Sequence, residues 1–406
     1  MEITIGARIR ALREGAGIQS QELAATLGID PSAMSNIERD KRAVKTQELT
    51  LIAGALRVSP LTLLGDDSLP ARLPVAARST GGQVTDGAAY KRLLALSEIH
   101  SVLTEAGLPA AALLDEVPDV RQADWKTAGE ALARWATEHL DVQVEGDERF
   151  SALAEAIENR LGIDVLVEQY KGDALSGAAI TDSEFPLIFV NSEHPTPRSL
   201  FTLAHELGHL LSGHDGSITL DEDLSGKNQS EQQANAFAAT FLMPREAIDE
   251  HIKNYGGGPE ALLRMVYDFG VSLESLIFRL HNLGKINAQG RDRLRSVGWR
   301  GLLSNLRTSD LQERLGPEIS MHLMSRFNQY PARRSPMLLA SRCFVGHRRG
   351  VISVRPLAGL LDIDPELLLD DIKNLDESSD ALSETDQSAA DELSLDDDSF
   401  MGSPVA

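Results

Sequence analysis

The run "TLAHELGHLLSGHD", Thr202 to Asp215, places three histidines and a glutamate within ten residues. His205 and His209 are four apart. On a helix they share one face, one turn apart, where two imidazoles reach one metal ion. Glu206 follows the first histidine, in a position for its carboxylate to contact a water on the ion rather than the ion itself. This is the HExxH arrangement. Zinc held in this way brings its water to a pKa of roughly 7 and polarises a scissile carbonyl. Glu206 would take the water's proton and pass it to the leaving amine. The competing readings are a zinc-held structural element and an ordinary polar helix face.

A catalytic zinc of this kind needs three protein ligands and one open position. His214 stands five residues past His209, and Gly213 four past it. The extended motif HExxHxxGxxH requires six and three, so spacing argues against His214. Glu231, 22 residues beyond His209, is the better third ligand. It is followed by Ala234, Phe237, Ala238 and Leu242, an apolar stripe that would press its helix against the motif helix. Asp221, Glu222 and Asp223 fall in a polar loop and are weaker candidates. The expected constellation is therefore His205, His209 and Glu231 on Zn2+, with Glu206 as the base.

These residues need positioning elements. Thr196 is expected to cap the motif helix, with Pro197 at its first position. "SEQQANAFAATFLMP" reads as a second helix stopped by Pro244. Upstream, Ile163–Gln169, Gly177–Thr181 and Leu187–Asn191 read as strands separated by Gly/Asp/Ser turns, which predicts an antiparallel meander. Residues 88–160 read as helical throughout, with 88–150 as a lead-in. Residues 258–282 predict two more helices, and 290–375 a mixed, mostly helical segment.

The chain begins differently. In residues 1–65, Ile5, Ile9 and Leu12 recur at helical spacing, and Leu23, Ala24 and Leu27 share a face. Asp30 is a plausible N-cap before Pro31, and Met34 and Ile37 point the next helix inward. Leu49, Ile52, Ala53 and Leu56 make a further helix. Ser32, Ser35 and Asn36 are left as the outward polar residues of 31–39, beside a basic cluster of Arg39, Lys41, Arg42 and Lys45 suited to phosphates. Residues 66–87 are rich in Pro, Gly and Ser and read as a linker.

The 406-residue length suggests about two to four domains. The single cysteine, Cys343, excludes an intramolecular disulfide and any multi-cysteine zinc site. That fits a reducing cytoplasm. The N-terminus has no secretory signature, and no run is long and apolar enough for a membrane helix. The net charge of −22 is uneven. Residues 1–65 carry eight Lys/Arg against seven Asp/Glu, whereas 376–406 carry ten acidic residues and no basic one. DNA contact would have to come from a local basic face, and the acidic tail is expected to be disordered. Trp125, Trp135 and Trp299 read as core or interface residues. His194, His251 and His281 read as structural, Cys343 as buried, and nothing places Tyr255 at the site.

"RSLFTLAHELGHLLSGH" followed by "SEQQANAFAATFLMP" resembles the ImmA/IrrE metallopeptidases. The resemblance takes in "LGIDVLV", "GAAITDSEFPLIFVNS" and "FGVSLESLIFRLHNLGKI", and covers roughly residues 150–285. It implies zinc on His205, His209 and Glu231, Glu206 as base, and cleavage of helix-turn-helix repressors. "SQELAATLGIDPSAMSNIERDKR" resembles the lambda-repressor/Cro-like (XRE) helix-turn-helix family. That resemblance implies a recognition helix at 31–39, phosphate contact near Ser20 where the family often has glutamine, and a homodimer on double-stranded DNA. Asp40 stands where the family often has glycine.

The expected architecture is mainly α, with a small α+β zincin-like domain. An all-α helix-turn-helix domain at 1–65 and the linker at 66–87 precede a metallopeptidase domain at 88–285 with a short antiparallel sheet. A helical region at 286–375 and the tail at 376–406 follow. The expected function is a cytoplasmic DNA-binding regulator whose zinc endopeptidase cuts a repressor-type protein. The alternatives are a non-proteolytic transcription factor sensing a metal, metabolite or peptide, and an antitoxin or phage-related regulator.

Overall fold

The computed structural model describes residues 4–15, 18–56, 63, 75–79, 88–110, 117–142, 144, 146, 148–173, 175–181, 185–213, 229–304, 315–325 and 329–375. Two compact units divide the chain, residues 1–339 and 340–406.

Four helices open the first unit: α1 (Ile5–Gly15), α2 (Ser20–Thr26), α3 (Pro31–Glu38) and α4 (Thr46–Leu56). Ile9, Leu23, Met34, Ile37, Ile52 and Leu63 are fully or almost fully buried between them. As the sequence predicts, Asp30 caps α3, its carboxylate accepting the Ser32 N–H at 2.8 Å, with Pro31 in the first turn. α1 and α3 are also joined by a buried ion pair. The Arg13 guanidinium donates to Glu38 Oε1 at 2.6 Å and to Oε2 at 3.1 Å.

The central architecture is a sheet between helices. Strands β1 (Val75–Ser79), β2 (Asp164–Glu168), β3 (Leu175–Ile180) and β4 (Leu187–Asn191) lie in the order β1-β3-β4-β2. β3 is antiparallel to both β1 and β4, but β2 is parallel to β4. The expected antiparallel meander is therefore corrected to a mixed sheet. β4 lies between β2 and β3, so these two consecutive strands do not pair as a hairpin. Turn residues mark where strands end, but the side-chain pattern of fully buried strands does not encode pairing order. β1 falls inside the stretch read as a linker.

One face of the sheet, carrying Val165, Val167, Ala179, Ile188 and Val190, joins the main hydrophobic core. α6 (Trp125–Leu140), α7 (Glu148–Leu161), α8 (Thr196–Leu211) and α9 (Gln229–Leu242) pack there. α5 (Ala88–Glu105) is tied to the opposite face, where Arg92 pairs with Glu168 at 3.2 Å. The span 88–160 is not helical throughout, because residues 117–124 and 141–142 are non-helical. Asp124 caps α6, and Asp141 closes it in the left-handed conformation. α10 (Arg245–Tyr255), which the sequence reading did not assign, precedes the two expected helices α11 (Pro259–Asp268) and α12 (Leu273–Asn282), and α13 (Ala288–Ser304) and α14 (Pro317–Ser325) follow. Leu302, Leu315 and Leu323 belong to the same core as the sheet. The far edge of β2 is closed by a single bridge, in which Val167 and Arg334 exchange backbone hydrogen bonds of 2.9 and 3.0 Å.

α15 (Met337–Arg348) and α16 (Arg355–Leu361) precede a last helical stretch over 365–375. Within the second unit Cys343, Leu357, Ala358 and Leu360 are buried. The acidic tail at 376–406 lies outside the described residues.

Candidate metal centre and DNA-binding helix

α8 carries the motif. It begins at Thr196, with Pro195 in the capping position and no side-chain cap. The expected Thr196 cap is thus one residue off, since Thr196 already has helical geometry and its N–H donates to the Gln329 carbonyl at 2.9 Å. From Leu203 to Leu211 every residue is buried. A polar motif in so apolar a helix keeps its charged groups only by pairing them.

The pairing partner comes from α9. Glu231, the third residue of α9, lies with Oε2 at 3.3 Å from His205 Nε2 and Oε1 at 3.0 Å from His209 Nε2. The two Nε2 atoms are 3.1 Å apart. Donors about 2.0–2.2 Å from a tetrahedral zinc ion are separated by about 3.3 Å or slightly more. Two imidazole nitrogens and a carboxylate at these separations form a donor set suited to that ion. Burial alone would raise the Glu231 carboxyl, but hydrogen bonds from His205 and His209 outweigh it and hold the group well below the usual carboxylate range.

Several residues that the sequence reading passed over hold this geometry. Gly208 allows α8 and α9 to approach, since a Cβ there would sit 2.9 Å from Phe237 Cδ1 and 3.2 Å from Ala234 Cα. Gly129 does the same for α6 and α9, where a Cβ would meet the Gln233 carbonyl at 2.8 Å. Gln233 donates to Ser212 Oγ at 2.8 Å, and Ser212 donates to the Gly208 carbonyl at 2.6 Å, linking the end of α8 to α9. Ser230 Oγ lies 3.4 Å from His209 Nδ1, the nitrogen that faces away from the donor cluster. Such partners orient a ligating imidazole. The glycine inside HELGH was the one legible signal, because a glycine within a helix needs a packing reason.

Glu206 is fully buried and faces β3. A Cβ at Gly177 of β3 would meet Thr202 Cγ2 at 2.3 Å and Glu206 Oε1 at 3.0 Å. The strand therefore passes directly over the carboxylate, and only glycine leaves room. His214, Asp221, Glu222 and Asp223 lie outside the described residues. His194 Nε2 is 3.2 Å from Ser176 Oγ, and strand alternation puts Ser176 on the face opposite Gly177. His251 is paired with Asp268 at 2.7 Å. Tyr255 is half-exposed under the Arg264 guanidinium, 4.4 Å from its ring centre. Trp135 is buried against His139, whereas Trp125 is exposed. Trp299 helps line a cavity of about 650 Å³ with Pro197, Ile277 and Arg295; none of the metal donors lines it.

In the helix-turn-helix unit Ser32 is exposed, and Ser35 and Asn36 are half-buried. Arg39 bonds back onto Ser35, to its hydroxyl and to its carbonyl at 3.1 Å. Lys41 and Lys45 are exposed. Arg42 is engaged by Glu48 at 2.6 Å, so the basic cluster is not uniformly open to phosphate. Ser20 is half-buried at the start of α2, in the first turn where backbone N–H groups have no intrahelical acceptor. Asp40 has φ 55°, the left-handed conformation that explains a glycine preference at this position. Its carboxylate offsets the strain by accepting the Gly6 N–H at 2.9 Å and the Thr4 hydroxyl at the N-terminus of α1.

Two family models match separate parts of the chain. Residues 9–63 match the helix-turn-helix family model, and residues 158–281 match the IrrE N-terminal-like domain. The chain is 35% identical over 104 residues to the radiation response metalloprotease IrrE of Deinococcus deserti, covering 24% of this chain and 37% of that protein. It is 34% identical over 104 residues to the protein of the same name from Deinococcus radiodurans, covering 24% and 32%. The match spans about a third of the length of these curated relatives. No helix among the described residues is long and apolar enough to cross a membrane. An XRE-type helix-turn-helix domain at residues 9–63 and an IrrE N-terminal-like domain at residues 158–281 are thus joined in one polypeptide.

Proposed function

We propose that this chain is a DNA-binding transcriptional regulator with a zinc-dependent endopeptidase domain, and that the endopeptidase cleaves a helix-turn-helix repressor-type protein to relieve repression. The observation that carries the reading is the donor triangle of His205, His209 and Glu231, with separations of 3.0–3.3 Å and Glu206 buried in the next position along α8. A zinc ion in that triangle would supply Lewis acidity and an activated water. Glu206 would hold the proton taken from the attacking water and deliver it to the leaving amine. His205, His209 and Glu231 would anchor the ion, with Ser230 and Gln233 orienting their helices.

The helix-turn-helix unit would supply the DNA address as a homodimer on double-stranded DNA. Ser32, Ser35 and Asn36 would face bases, Lys41 and Lys45 would meet phosphates, and Arg39 would do so after leaving Ser35. Ser20 would add a phosphate contact from the start of α2. Arg42 would hold the fold through Glu48 rather than bind DNA. The absence of a membrane-length helix among the described residues and the DNA-binding domain fit a cytoplasmic regulator.

The test mixes the purified chain and zinc with candidate helix-turn-helix repressors. Cleavage by the wild type that is lost on chelation and in Glu206→Gln supports the reading. Identical intact bands for wild type and Glu206→Gln overturn it.

A further inference from the structure

β1 lies in the connector between the helix-turn-helix domain and the metal domain, yet it is paired along the site. It runs antiparallel to β3, with Val75 opposite Ile180, Ala77 opposite Ala178 and Arg78 opposite Gly177. Gly177 is the residue whose missing side chain leaves room for Glu206. The backbone of Arg78 is therefore in register with the point where β3 crosses the carboxylate. The pairing loses its regular register at the next step, between Arg78 and Ser79. β1 also contacts α8, the helix that carries the motif.

An edge strand offers a row of backbone donors and acceptors to any extended chain. Extended peptides bind such edges by strand addition, in which main-chain hydrogen bonds give affinity and pockets for alternate side chains give specificity. The β2 edge of this sheet is bridged by Arg334, whereas on the other side β1 covers β3, so displacing β1 would make β3 the edge beside Glu206. β1 is five residues long and made of "VAARS", a short strand with small residues at its centre. Such a strand holds an edge weakly by itself, but its attachment to the same chain gives it a high effective concentration.

We infer that the β3 edge is the groove that receives an extended peptide, and that residues 75–79 occupy it in cis as a displaceable competitor. The inference rests on the peptidase reading for what the peptide is there to undergo. It adds a coupling: an event that pulls the connector from the helix-turn-helix side uncovers the site, and a peptide that fills the groove frees the connector.

The test uses the full chain carrying Glu206→Gln, so that no turnover is involved. The probe is a fluorescently labelled peptide with the sequence of residues 73–81. Successive amides of a strand point to opposite sides, so replacing both Ala76 and Ala77 by proline removes a ladder donor whichever of the two faces β3. The double-proline chain should bind the probe about tenfold more tightly than its Glu206→Gln parent, because the competent fraction rises. In the parent, saturating probe should speed amide hydrogen exchange at residues 75–79, a reading that needs no proline variant. Equal affinity in both chains, or exchange at 75–79 unchanged by saturating probe, overturns the inference. Because neither reading depends on cleavage, failure here is distinct from failure of the peptidase reading, which shows as Glu206-independent results with the repressor substrates.

Discussion

Replacing Gly208 by alanine should weaken zinc binding more than it weakens the fold. The new Cβ would lie 2.9 Å from Phe237 Cδ1 and 3.2 Å from Ala234 Cα. Carbon–carbon contacts settle at about 3.5–4.0 Å, so α8 and α9 would have to part by roughly 0.3–0.6 Å. The phenyl ring can rotate a little, but the Ala234 backbone cannot, so α9 itself must move. Glu231 lies one turn before Ala234 on that helix, and its Oε1 sits 3.0 Å from His209. Overpacking costs about 1–3 kcal/mol, while alanine recovers up to about 1 kcal/mol of helix propensity over glycine. The net loss of stability in the metal-free protein should therefore be about 0–2 kcal/mol. Disturbing the support of a ligand set weakens metal binding by about 10–100-fold, equivalent to about 1.4–2.7 kcal/mol. Competition against a chromogenic chelator measures this directly, with Gly257→Ala as control because a Cβ there meets nothing within 4 Å. If Gly208→Ala held zinc as tightly as the wild type, the close helix approach would not be what sets the donor triangle.

Other expectations concern the helix-turn-helix unit. Arg13→Ala leaves Glu38 buried without its bidentate partner and should cost about 3–5 kcal/mol, read as an early helical transition in thermal circular dichroism and as lost DNA binding. Asp40→Ala should destabilise by about 1–3 kcal/mol, because alanine keeps the φ 55° strain and loses the bond to Gly6. Asp40→Gly should cost less than Asp40→Ala, and equal losses would refute the role of the left-handed backbone. The Glu48 carboxyl is lowered from 4.5 by the Lys45 N–H and by Arg42. Its stabilisation is therefore fully present above 4.5 and is lost as pH falls through the depressed value. Glu48→Gln should flatten that acid limb in melting curves recorded from pH 6 downward, and an unchanged limb would count against it.

The candidate metal donors His205, His209 and Glu231 were legible because each carried a local reason. Four-residue spacing put two imidazoles on one face, and the stripe Ala234–Phe237–Ala238–Leu242 turned Glu231 inward. The Asp30 cap and the inward Met34 and Ile37 were legible for the same reason, since caps and helical periodicity are short-range. Strand order was not, because β2, β3 and β4 are buried on both faces and their burial pattern is the same under any pairing. β1 was hidden for a different reason: five residues of "VAARS" among prolines and glycines carry no alternation, and only their pairing with β3 makes them a strand. Gly177 and Gly129 had no signal in their own surroundings. Their meaning lies in what approaches them from elements elsewhere in the chain.

The most direct measurement is bound zinc per chain, by elemental analysis after dialysis, for the wild type, Glu231→Gln and Glu206→Gln. The structure predicts one zinc in the wild type and one in Glu206→Gln, whose carboxylate is not among the donors. It predicts loss of zinc from Glu231→Gln, whose two oxygens reach both histidines. Stoichiometric zinc retained by Glu231→Gln, or no zinc in the wild type, would contradict the account.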